Sequence, residues 1–418
     1  MIQHITLEIT ELAGLGDGVG YLQDKKVFVP YTVPGDKVSA TIYKHTKQQA
    51  FASLGQVIVP GSQRVTPVCR HFYHCGGCRL QHVNSDAYQV FKQQMLTYAV
   101  SRAGYDPAVV VTPVMVGAKA RRRAVFKVHQ KQVGYYEPKS HKLVAISECP
   151  ILVPELEALI ASLNTFLQHF SKPQLIEEIA LFQSDSGVDM VFTSNIEVWD
   201  ATTYEQVTGF SQQNDIARVS YRYKSEVFPV IQRRSVQMQA GEVSIDLPPG
   251  AFQQATKAGQ EAITAEILQG IKGASKVIDL YAGCGTYTFP IAAFAKVHAV
   301  EGSQEMVSAI NQTAGRQHIS GVCAEMRDLV KQPVPAKTLK SYDAIVINPP
   351  RNGAGAQVEE IAKSGVKRMV MVSCNPVTFS EDAKLLKAAG YALKRAVPID
   401  QFVWSSHLEL VAVFEKNA

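Results

Sequence analysis

Two short motifs near the end of the chain offer a thiol and a carboxylate that could work together. Cys374 lies in SCNP, directly after the apolar strand RMVMV, and Glu409 lies in HLELV. Open α/β sheets bind their ligands at strand ends, which favours a nucleophile over the packing role of most single cysteines. A carboxylate in apolar strand surroundings can be tuned as a base, although Glu409 alone is equally compatible with a solvated strand face.

A glycine-rich turn after another strand is typical of a nucleoside cofactor site. In VIDLYAGCGTYTFPIA, Gly283 and Gly285 let the backbone approach a ligand. Glu301 ends the next strand, KVHAVE, at the spacing where an acid accepts hydrogen bonds from ribose hydroxyls. The turn lacks the third glycine of a dinucleotide fingerprint, so S-adenosyl-L-methionine, which has no phosphate, is favoured. Asp328, after the third strand, either contacts the adenine amine or only caps a turn.

Together these groups fit one reaction, the methylation of carbon 5 of uracil. That carbon is a poor nucleophile until a thiolate adds to C6 and moves electron density onto C5. The activated carbon can then take a methyl group from a sulfonium, and a base must remove the C5 proton before the thiol is eliminated. One thiol, one base and one methyl donor are required, and this half of the chain offers all three.

The elements that must position these residues form three predicted domains in 418 residues. Residues 1–57 hold five short strands with Gly and Pro turns, which predicts a small OB-like barrel. Residues 58–240 are α+β, with helices near 85–103 and 153–170. In residues 241–418 apolar strands alternate with helices, which predicts a Rossmann-like, doubly wound parallel sheet whose last two strands form an antiparallel pair.

Four cysteines of the second predicted domain are spaced as metal ligands. Cys69, Cys75 and Cys78 form C-x5-C-x2-C, and Cys149 follows later in the chain. Two glycines between the second and third cysteines let the loop turn tightly. A four-cysteine zinc site is a rival interpretation, although this spacing fits zinc ribbons poorly.

A basic run in the same domain is a candidate nucleic-acid contact. Arg121, Arg122, Arg123 and Lys127 alternate with apolar residues in a strand-like pattern. Such cations can pair with phosphates, whereas a charge run is otherwise a solvated face.

Composition excludes several classes of protein. The net charge of +5 is too small for a polycation, and 46% hydrophobic residues are enough for several cores. The sequence has no uninterrupted apolar stretch long enough for a membrane span and no basic leader at its start. We therefore expect a cytoplasmic protein without a membrane partner, in which seven cysteines do not form a disulfide framework.

The motifs together resemble those of the RNA uracil-C5 methyltransferase family, in particular its iron–sulfur branch acting on large-subunit ribosomal RNA. The resemblance rests on FQQ, DLYAGCG, VEG, NPPR, SCNP and HLELV, joined to the cysteine spacing. The first domain resembles the TRAM module through its VPGD turn, so the resemblance covers nearly the whole chain.

The resemblance implies a role for each matching residue. Cys374 would be the nucleophile and Glu409 the base, and Arg351 would help hold the loop around the target base, which must be flipped out of the RNA. The four cysteines would hold a [4Fe–4S] cluster with a structural or RNA-contacting role. We expect a monomer that acts on large-subunit rRNA rather than tRNA. Further positions that match the cofactor site are Gln254, Tyr281, Thr286, Glu301 and Asn348.

Three positions depart from the family pattern. The family has an acid where this chain has Asn348, so the amide keeps hydrogen bonding but removes a charge near the sulfonium. Thr256 stands at the last position of FxQxN, and Asn is common where Thr286 stands.

Three alternatives remain open at the level of sequence. One is uridine-C5 methylation of tRNA. Another is an amino-group N-methyltransferase, suggested by Asn348-Pro349-Pro350, although such enzymes have an aromatic residue where this chain has Arg351. The third is a non-catalytic iron–sulfur RNA-binding protein, against which the intact Cys374 and Glu409 argue.

Overall fold

A computed structural model describes residues 3–416. The first five strands close into a barrel in the order β1-β2-β3-β5-β4, which confirms the small barrel expected at the start of the chain. Alternate side chains of β1 point into the barrel core, as a strand with one buried face requires. The strands are β1 (Gln3–Leu12), β2 (Gly18–Leu22), β3 (Lys25–Val29), β4 (Lys37–His45) and β5 (Gln49–Val59).

The VPGD turn ties the barrel to the chain that follows it. Asp36 accepts hydrogen bonds from the backbone N–H groups of Val33 and Gly61, at 2.8 and 2.9 Å, and its side chain is fully buried. Its carboxylate also pairs with the guanidinium of Arg64. The turn therefore fixes where the barrel meets the cysteine segment.

The middle of the chain forms a seven-stranded sheet in the order β13-β12-β11-β10-β7-β8-β9, packed against two helices. This is the α+β arrangement that the sequence predicts. The elements of this stretch are α1 (Ser85–Arg102), β6 (Val114–Met115), β7 (Arg123–His129), β8 (Gln132–Tyr136), β9 (Leu143–Ala145), α2 (Pro154–His169), β10 (Ile176–Ser184), β11 (Gly187–Ser194), α3 (Ala201–Gln213), β12 (Arg218–Tyr223) and β13 (Glu226–Gln232).

A two-stranded ribbon leads into the third region, which holds an eight-stranded sheet. The ribbon strands are β14 (Gln237–Ala240) and β15 (Val243–Asp246). The elements that follow are α4 (Lys257–Gly270), β16 (Lys276–Leu280), α5 (Thr288–Ala292), β17 (Lys296–Glu301), α6 (Gln304–Arg316), β18 (Val322–Met326), α7 (Ala336–Leu339), β19 (Ala344–Ile347), α8 (Gly355–Ser364), β20 (Arg368–Ser373), α9 (Pro376–Ala388), β21 (Tyr391–Asp400) and β22 (Glu409–Lys416).

The large sheet runs β18-β17-β16-β19-β20-β22-β21-β6, and its first five strands are parallel. The predicted antiparallel pair of last strands is confirmed. The chain end, β22, inserts between β20 and β21 rather than lying at the edge. Inner strands such as β19 are buried at every position, because helices cover both faces of a parallel sheet.

Two elements that the predicted boundaries assign to the second domain pack with the third. Leu96 and Val100 of α1 share one buried cluster with Ile278 of β16, and β6 adds to the edge of the large sheet beside β21. The helix and the strand thus brace the side of the sheet that carries β21 and β22. No helix within residues 3–416 has the length and apolarity needed to cross a membrane.

Candidate active site

Cys374 and Glu409 lie close together where two neighbouring strands meet. Strand β20 ends at Ser373, which pairs with Leu410 in the antiparallel ladder to β22. Cys374 follows Ser373 and Glu409 precedes Leu410, so both lie one step beyond the last pair of this ladder, and the Glu409 carboxylate acts electrostatically on the Cys374 thiol. The structure therefore brings together the two residues that the sequence singles out for chemistry.

Burial sets the electrostatics of both groups. The Glu409 side chain is almost fully buried, and this desolvation raises its pKa to about 7, while a hydrogen bond from Gln401 acts in the opposite direction. Burial also raises the pKa of the Cys374 thiol, and the Glu409 carboxylate raises it further, whereas Arg351 lowers it. A carboxyl group with a pKa near neutrality is suited to accept a proton.

Gln401 is a residue of this site that no sequence motif indicates. Its amide Nε2 donates to Glu409 Oε2 at 2.8 Å and to Gln254 Oε1 at 2.6 Å. It follows the last residue of β21 directly, so only the position of β22 beside β21 reveals that it meets Glu409. The sequence carries no signal for this contact beyond a polar residue that follows Asp400 at the end of β21.

The glycine-rich turn follows β16 and is held by Glu301. Gly283 and Gly285 have φ angles of +58° and +94°, a left-handed conformation that glycine adopts without strain. Glu301 Oε2 accepts from the N–H of Gly283 at 2.9 Å, and its Oε1 accepts from Gly302 and Ser303. A carboxylate has about four acceptor positions, so this one supports the turn and can still receive a further hydrogen bond.

Tyr281 has a left-handed backbone although it is not glycine. Its φ is +61°, and the ring is half-buried beside the turn. Such conformations cost free energy and are retained where the surrounding structure requires them. This conformation lies directly after β16, and the contact of Tyr281 with a ligand stays a prediction.

The remaining predicted cofactor residues differ in their burial and in the hydrogen bonds that they already form within the protein. Gln254 is buried, and its Nε2 donates to the Tyr287 hydroxyl at 2.9 Å while its Oε1 accepts from Gln401. Thr286 and Asn348 are half-buried after β16 and β19. Asp328 Oδ1 accepts from the N–H groups of Val330 and Lys331, which is the turn-capping role, so its contact with adenine stays a prediction.

Thr256, which departs from the family pattern, has a clear local role. It is the N-cap of α4, and its hydroxyl accepts from the N–H of Gly259 at 3.0 Å. Threonine and asparagine both serve as N-caps. The helix start is therefore preserved despite the substitution.

The NPPR loop is hydrogen-bonded to the SCNP motif. The backbone carbonyl of Arg351 accepts from Asn375 Nδ2 at 3.1 Å, and the Arg351 side chain is exposed. Asn375 also caps α9 through its Oδ1. One asparagine thus fixes the loop carrying Arg351 relative to Cys374.

The predicted RNA contact of Arg122 needs correction. Its side chain is buried, Nε donates to the carbonyl of Gln254 at 3.2 Å and Nη2 donates to Gln260 Oε1 at 2.6 Å. These bonds hold the segment before α4, so this guanidinium does not face a phosphate. A run of three arginines does not reveal which member points inwards.

The other three cations of the basic run lie nearer the surface. Arg123 stacks over the ring of exposed Phe252, with 4.6 Å between the guanidinium carbon and the ring centroid. Arg121 lies over Phe402, and Lys127 forms an ion pair with Glu178. Their contacts with RNA remain predictions.

The four clustered cysteines line one cavity of about 330 Å³. Burial raises the pKa of the Cys78 thiol to about 11 and also raises that of the Cys149 thiol. Within residues 3–416, no three His, Cys, Asp or Glu side chains converge closely enough to hold a single metal ion. The same cavity is bordered by Phe402 and His407, from the segment between β21 and β22.

The fold and the site define a class: an α/β sheet of the methyltransferase type with a thiol and a carboxylate at adjoining strand ends. Comparison with known proteins agrees. Residues 121–417 match the family model described as tRNA (Uracil-5-)-methyltransferase, and residues 3–54 match the TRAM domain. The chain belongs to the RNA (uracil-C5) methyltransferase family, and it is an enzyme of that class.

Individual relatives cover nearly the whole chain. An uncharacterised RNA methyltransferase of Rhizobium meliloti is 36% identical, covering 98% of this chain and 99% of its own. The 23S rRNA (uracil(1939)-C(5))-methyltransferase RlmD of Vibrio vulnificus is 30% identical, covering 99% and 97%. The structure of Pyrococcus abyssi tRNA (uracil-54, C5)-methyltransferase with S-adenosyl-L-homocysteine has a TM-score of 0.75 at 22% identity, covering 98% and 100%, which shows the fold.

Proposed function

We propose that the chain methylates carbon 5 of a uridine in large-subunit rRNA, with Cys374 as nucleophile and Glu409 as base. Uracil-C5 methylation of RNA is the activity of the family. The observation that carries the two assignments is that Cys374 and Glu409 lie one step beyond the Ser373–Leu410 pair, where β20 and β22 meet, and interact electrostatically. The pKa of about 7 for buried Glu409 supports a base that can exchange a proton near neutral pH.

In this mechanism the Cys374 thiolate adds to C6 of the flipped uracil, and the ring becomes an enolate with electron density on C5. S-adenosyl-L-methionine, when bound, supplies the methyl group that forms the new bond to C5. The Glu409 carboxylate then takes the C5 proton. The C5–C6 double bond re-forms, the C6–sulfur bond breaks, and the Cys374 thiolate is regenerated.

The methyl donor is proposed to bind around the glycine-rich turn. Gly283 and Gly285 let the backbone approach the methyl donor. Glu301 accepts a hydrogen bond from a ribose hydroxyl of the donor, and Tyr281 packs against the donor. Asn348 offers an uncharged amide where the family has an acid, which removes a favourable charge near the sulfonium. Gln254 and Thr286 complete the proposed set, and Asp328 joins it only if its carboxylate contacts the adenine amine rather than merely capping its own turn.

Large-subunit rRNA is proposed as the substrate rather than tRNA. The support is the resemblance of the cysteine spacing to the rRNA branch and the relative of Vibrio vulnificus named for 23S rRNA. Arg121, Arg123, Lys127 and Arg351 are the proposed RNA contacts. Methylation of full-length 23S rRNA and of a tRNA pool, each lacking uridine methylation and mapped by mass spectrometry, separates the two targets; a methylated tRNA alone would overturn the rRNA proposal.

Cys69, Cys75, Cys78 and Cys149 are proposed to hold a [4Fe–4S] cluster. Four thiols around one cavity fit such a cluster, which spreads its ligands more widely than a single tetrahedral zinc ion. The cluster would be structural, since methyl transfer moves no net electron. Iron and sulfide analysis of anaerobically purified protein tests this, and one equivalent of zinc without iron would contradict it.

The experiment that tests the mechanism uses RNA carrying 5-fluorouridine and labelled methyl donor. Fluorine cannot leave as a cation, so the methylated ring stays bonded to the protein. We expect a denaturation-resistant adduct that carries the label and is lost in Cys374→Ser. Ordinary methyl transfer without an adduct would point to an amino-group methyltransferase, and RNA binding with neither result to a non-catalytic protein.

A further inference from the structure

A buried chain of hydrogen bonds links the proposed base to the segment before α4. It runs from the Tyr287 hydroxyl through the amides of Gln254 and Gln401 to the Glu409 carboxylate, with N···O distances of 2.9, 2.6 and 2.8 Å. All four side chains are at most 5% exposed. The chain therefore joins the glycine-rich turn, which carries Tyr287, to the end of β21 and the start of β22.

The Gln401 amide can adopt only one orientation in this arrangement. Its Nε2 gives one hydrogen to Gln254 Oε1 and the other to Glu409 Oε2, and its Oε1 accepts from the N–H of Ala255 at 3.1 Å. Turning the amide by 180° would place its oxygen against two acceptors and its nitrogen against a donor. Both polar atoms of the Gln401 side chain are thus used, and the orientation is fixed.

The backbone around Gln401 is equally constrained. The preceding residue, Asp400, is buried and forms an ion pair with buried Lys92 of α1, with 2.9 Å between Nζ and Oδ1. The carbonyl of Trp404 accepts from the N–H groups of Arg79 and Leu80, directly after Cys78. A Cβ on Gly259 would lie 2.8 Å from the Cβ of Gln401, so the start of α4 leaves room for this side chain and no more.

We propose that Gln401 is a positioning residue for Glu409, which orients the carboxylate toward the C5 proton and couples it to Gln254 beside the methyl-donor site. This inference rests on the proposed function, because it concerns the step after methyl transfer. In that step the C5 proton moves to Glu409, the C5–C6 double bond re-forms and the Cys374 thiolate leaves C6. Gln401 does not touch the uracil in this scheme and acts only through Glu409.

Loss of the Gln401 donor has a defined electrostatic consequence. A hydrogen bond to a carboxylate stabilises its ionised form, so removal of the bond raises the carboxyl pKa further. Tyr287 and Cys374 are the neutral titratable groups that interact with Glu409. Charged or titratable groups on the neighbouring segments are Arg122, which bonds to the Gln254 carbonyl, Arg351, which acts on Cys374, the Lys92–Asp400 pair next to Gln401, and His407. None of these replaces the donated hydrogen, since Gln401 alone donates a hydrogen bond to the Glu409 side chain within residues 3–416.

The test is a single-turnover experiment on unmodified rRNA with Gln401→Met, which keeps length and apolar packing but cannot donate. Rapid quenching in denaturant measures how fast the protein–RNA adduct forms and how fast it is released. We expect formation within about twofold of the unaltered enzyme, release slowed about ten- to hundredfold, and the pH of half-maximal release shifted upwards. Adduct formation requires the folded site, so the same data report folding.

A matched control is Gln357→Met, an equally buried glutamine of α8 whose amide bonds only to the backbone of Val334. We expect it to leave both rates and the pH profile unchanged. A second variant, Gln401→Glu, places a carboxyl group beside Glu409; because a like charge raises the carboxyl pKa, release should be slowed and its pH of half-maximal release shifted upwards, as in the Met variant. It also tests the inference should the Met variant not fold.

The outcomes separate the inference from the proposed function. If the unaltered enzyme forms no adduct with 5-fluorouridine RNA, the proposed mechanism fails. If it forms the adduct, but Gln401→Met releases product at the normal rate with an unshifted pH profile, only the positioning role fails. Equal slowing of formation and release would likewise overturn it, because a general packing defect slows both steps.

Discussion

Two carboxylates at strand ends of the same sheet are held in different ways. Glu301, at the end of β17, receives three backbone N–H groups from the turns around it. Glu409, at the start of β22, accepts one hydrogen bond from a side-chain amide, and its burial raises its pKa to about 7. The backbone donors hold the Glu301 carboxylate in one position, whereas buried Glu409, with a single donor and a raised pKa, can exchange a proton near neutral pH. The contrast agrees with the roles proposed for them, methyl-donor binding for Glu301 and proton transfer for Glu409.

The largest expected effect is that of Glu409→Gln. The amide cannot take the C5 proton, so turnover should fall about 10²- to 10⁴-fold, while the Cys374 adduct forms and persists on unmodified RNA. Rapid-quench electrophoresis measures the adduct. Glu415→Gln, the same change at an exposed position of β22, is the control and should retain normal turnover. Rapid release of methylated RNA from Glu409→Gln would break the assignment of the base.

Glu301→Gln should act on binding instead. A glutamine has one acceptor oxygen where Glu301 has two. Its NH₂ group would therefore face either the N–H of Gly283 or the N–H groups of Gly302 and Ser303, with no acceptor for them. We expect the KM for the methyl donor to rise about ten- to hundredfold, with kcat changed by less than about threefold. Initial rates over a range of donor concentrations measure both.

A suitable control is Glu305→Gln, in the first turn of α6, which should shift neither constant appreciably. A fall in kcat for Glu301→Gln at saturating methyl donor would show that Glu301 does more than bind the donor, against the contrast drawn with Glu409.

The raised pKa of Glu409 also predicts a pH-dependent cost in stability. Since the folded-state pKa is about 7 rather than 4.5, the carboxyl group favours folding when protonated. This contribution is fully present below about pH 4.5 and is lost as the pH rises through about 7, a change of roughly 3 kcal/mol.

Relative to the unaltered enzyme, Glu409→Gln should therefore be more stable at pH 8, and the gain should shrink towards pH 5. Urea denaturation of both proteins at several pH values measures the difference between their free energies of unfolding. A difference that does not vary with pH would show that Glu409 is not desolvated in solution.

Much of this site could be predicted because its residues follow strands. The alternation of apolar strands and helices indicates the sheet, and parallel strands bring Gly283, Asn348 and Cys374 to one edge whatever the details of packing. The barrel likewise follows from short alternating strands and the VPGD turn. Local patterns determine these features, so the sequence reveals them.

Other features depend on contacts between distant segments and could not be predicted. Nothing local places β22 between β20 and β21, and without that order Gln401 and Glu409 are simply eight residues apart. The burial of Arg122 depends on the segment before α4. The docking of α1 against the large sheet depends on apolar residues that would suit either core.

The smallest expected effect is that of Asp328→Ala. It tests whether a third carboxylate binds the methyl donor, as is proposed for Glu301, or only caps a turn. Asp328 is partly exposed and accepts from two backbone N–H groups, where Glu301 accepts from three, and its second oxygen pairs with Lys331. Loss of a turn cap should lower the free energy of unfolding by about 0.5–1 kcal/mol, and the KM for the methyl donor should rise by less than about threefold. A tenfold rise in KM, matched by Asp328→Asn, would instead place this carboxylate on the adenine amine, because asparagine preserves the cap and removes the charge.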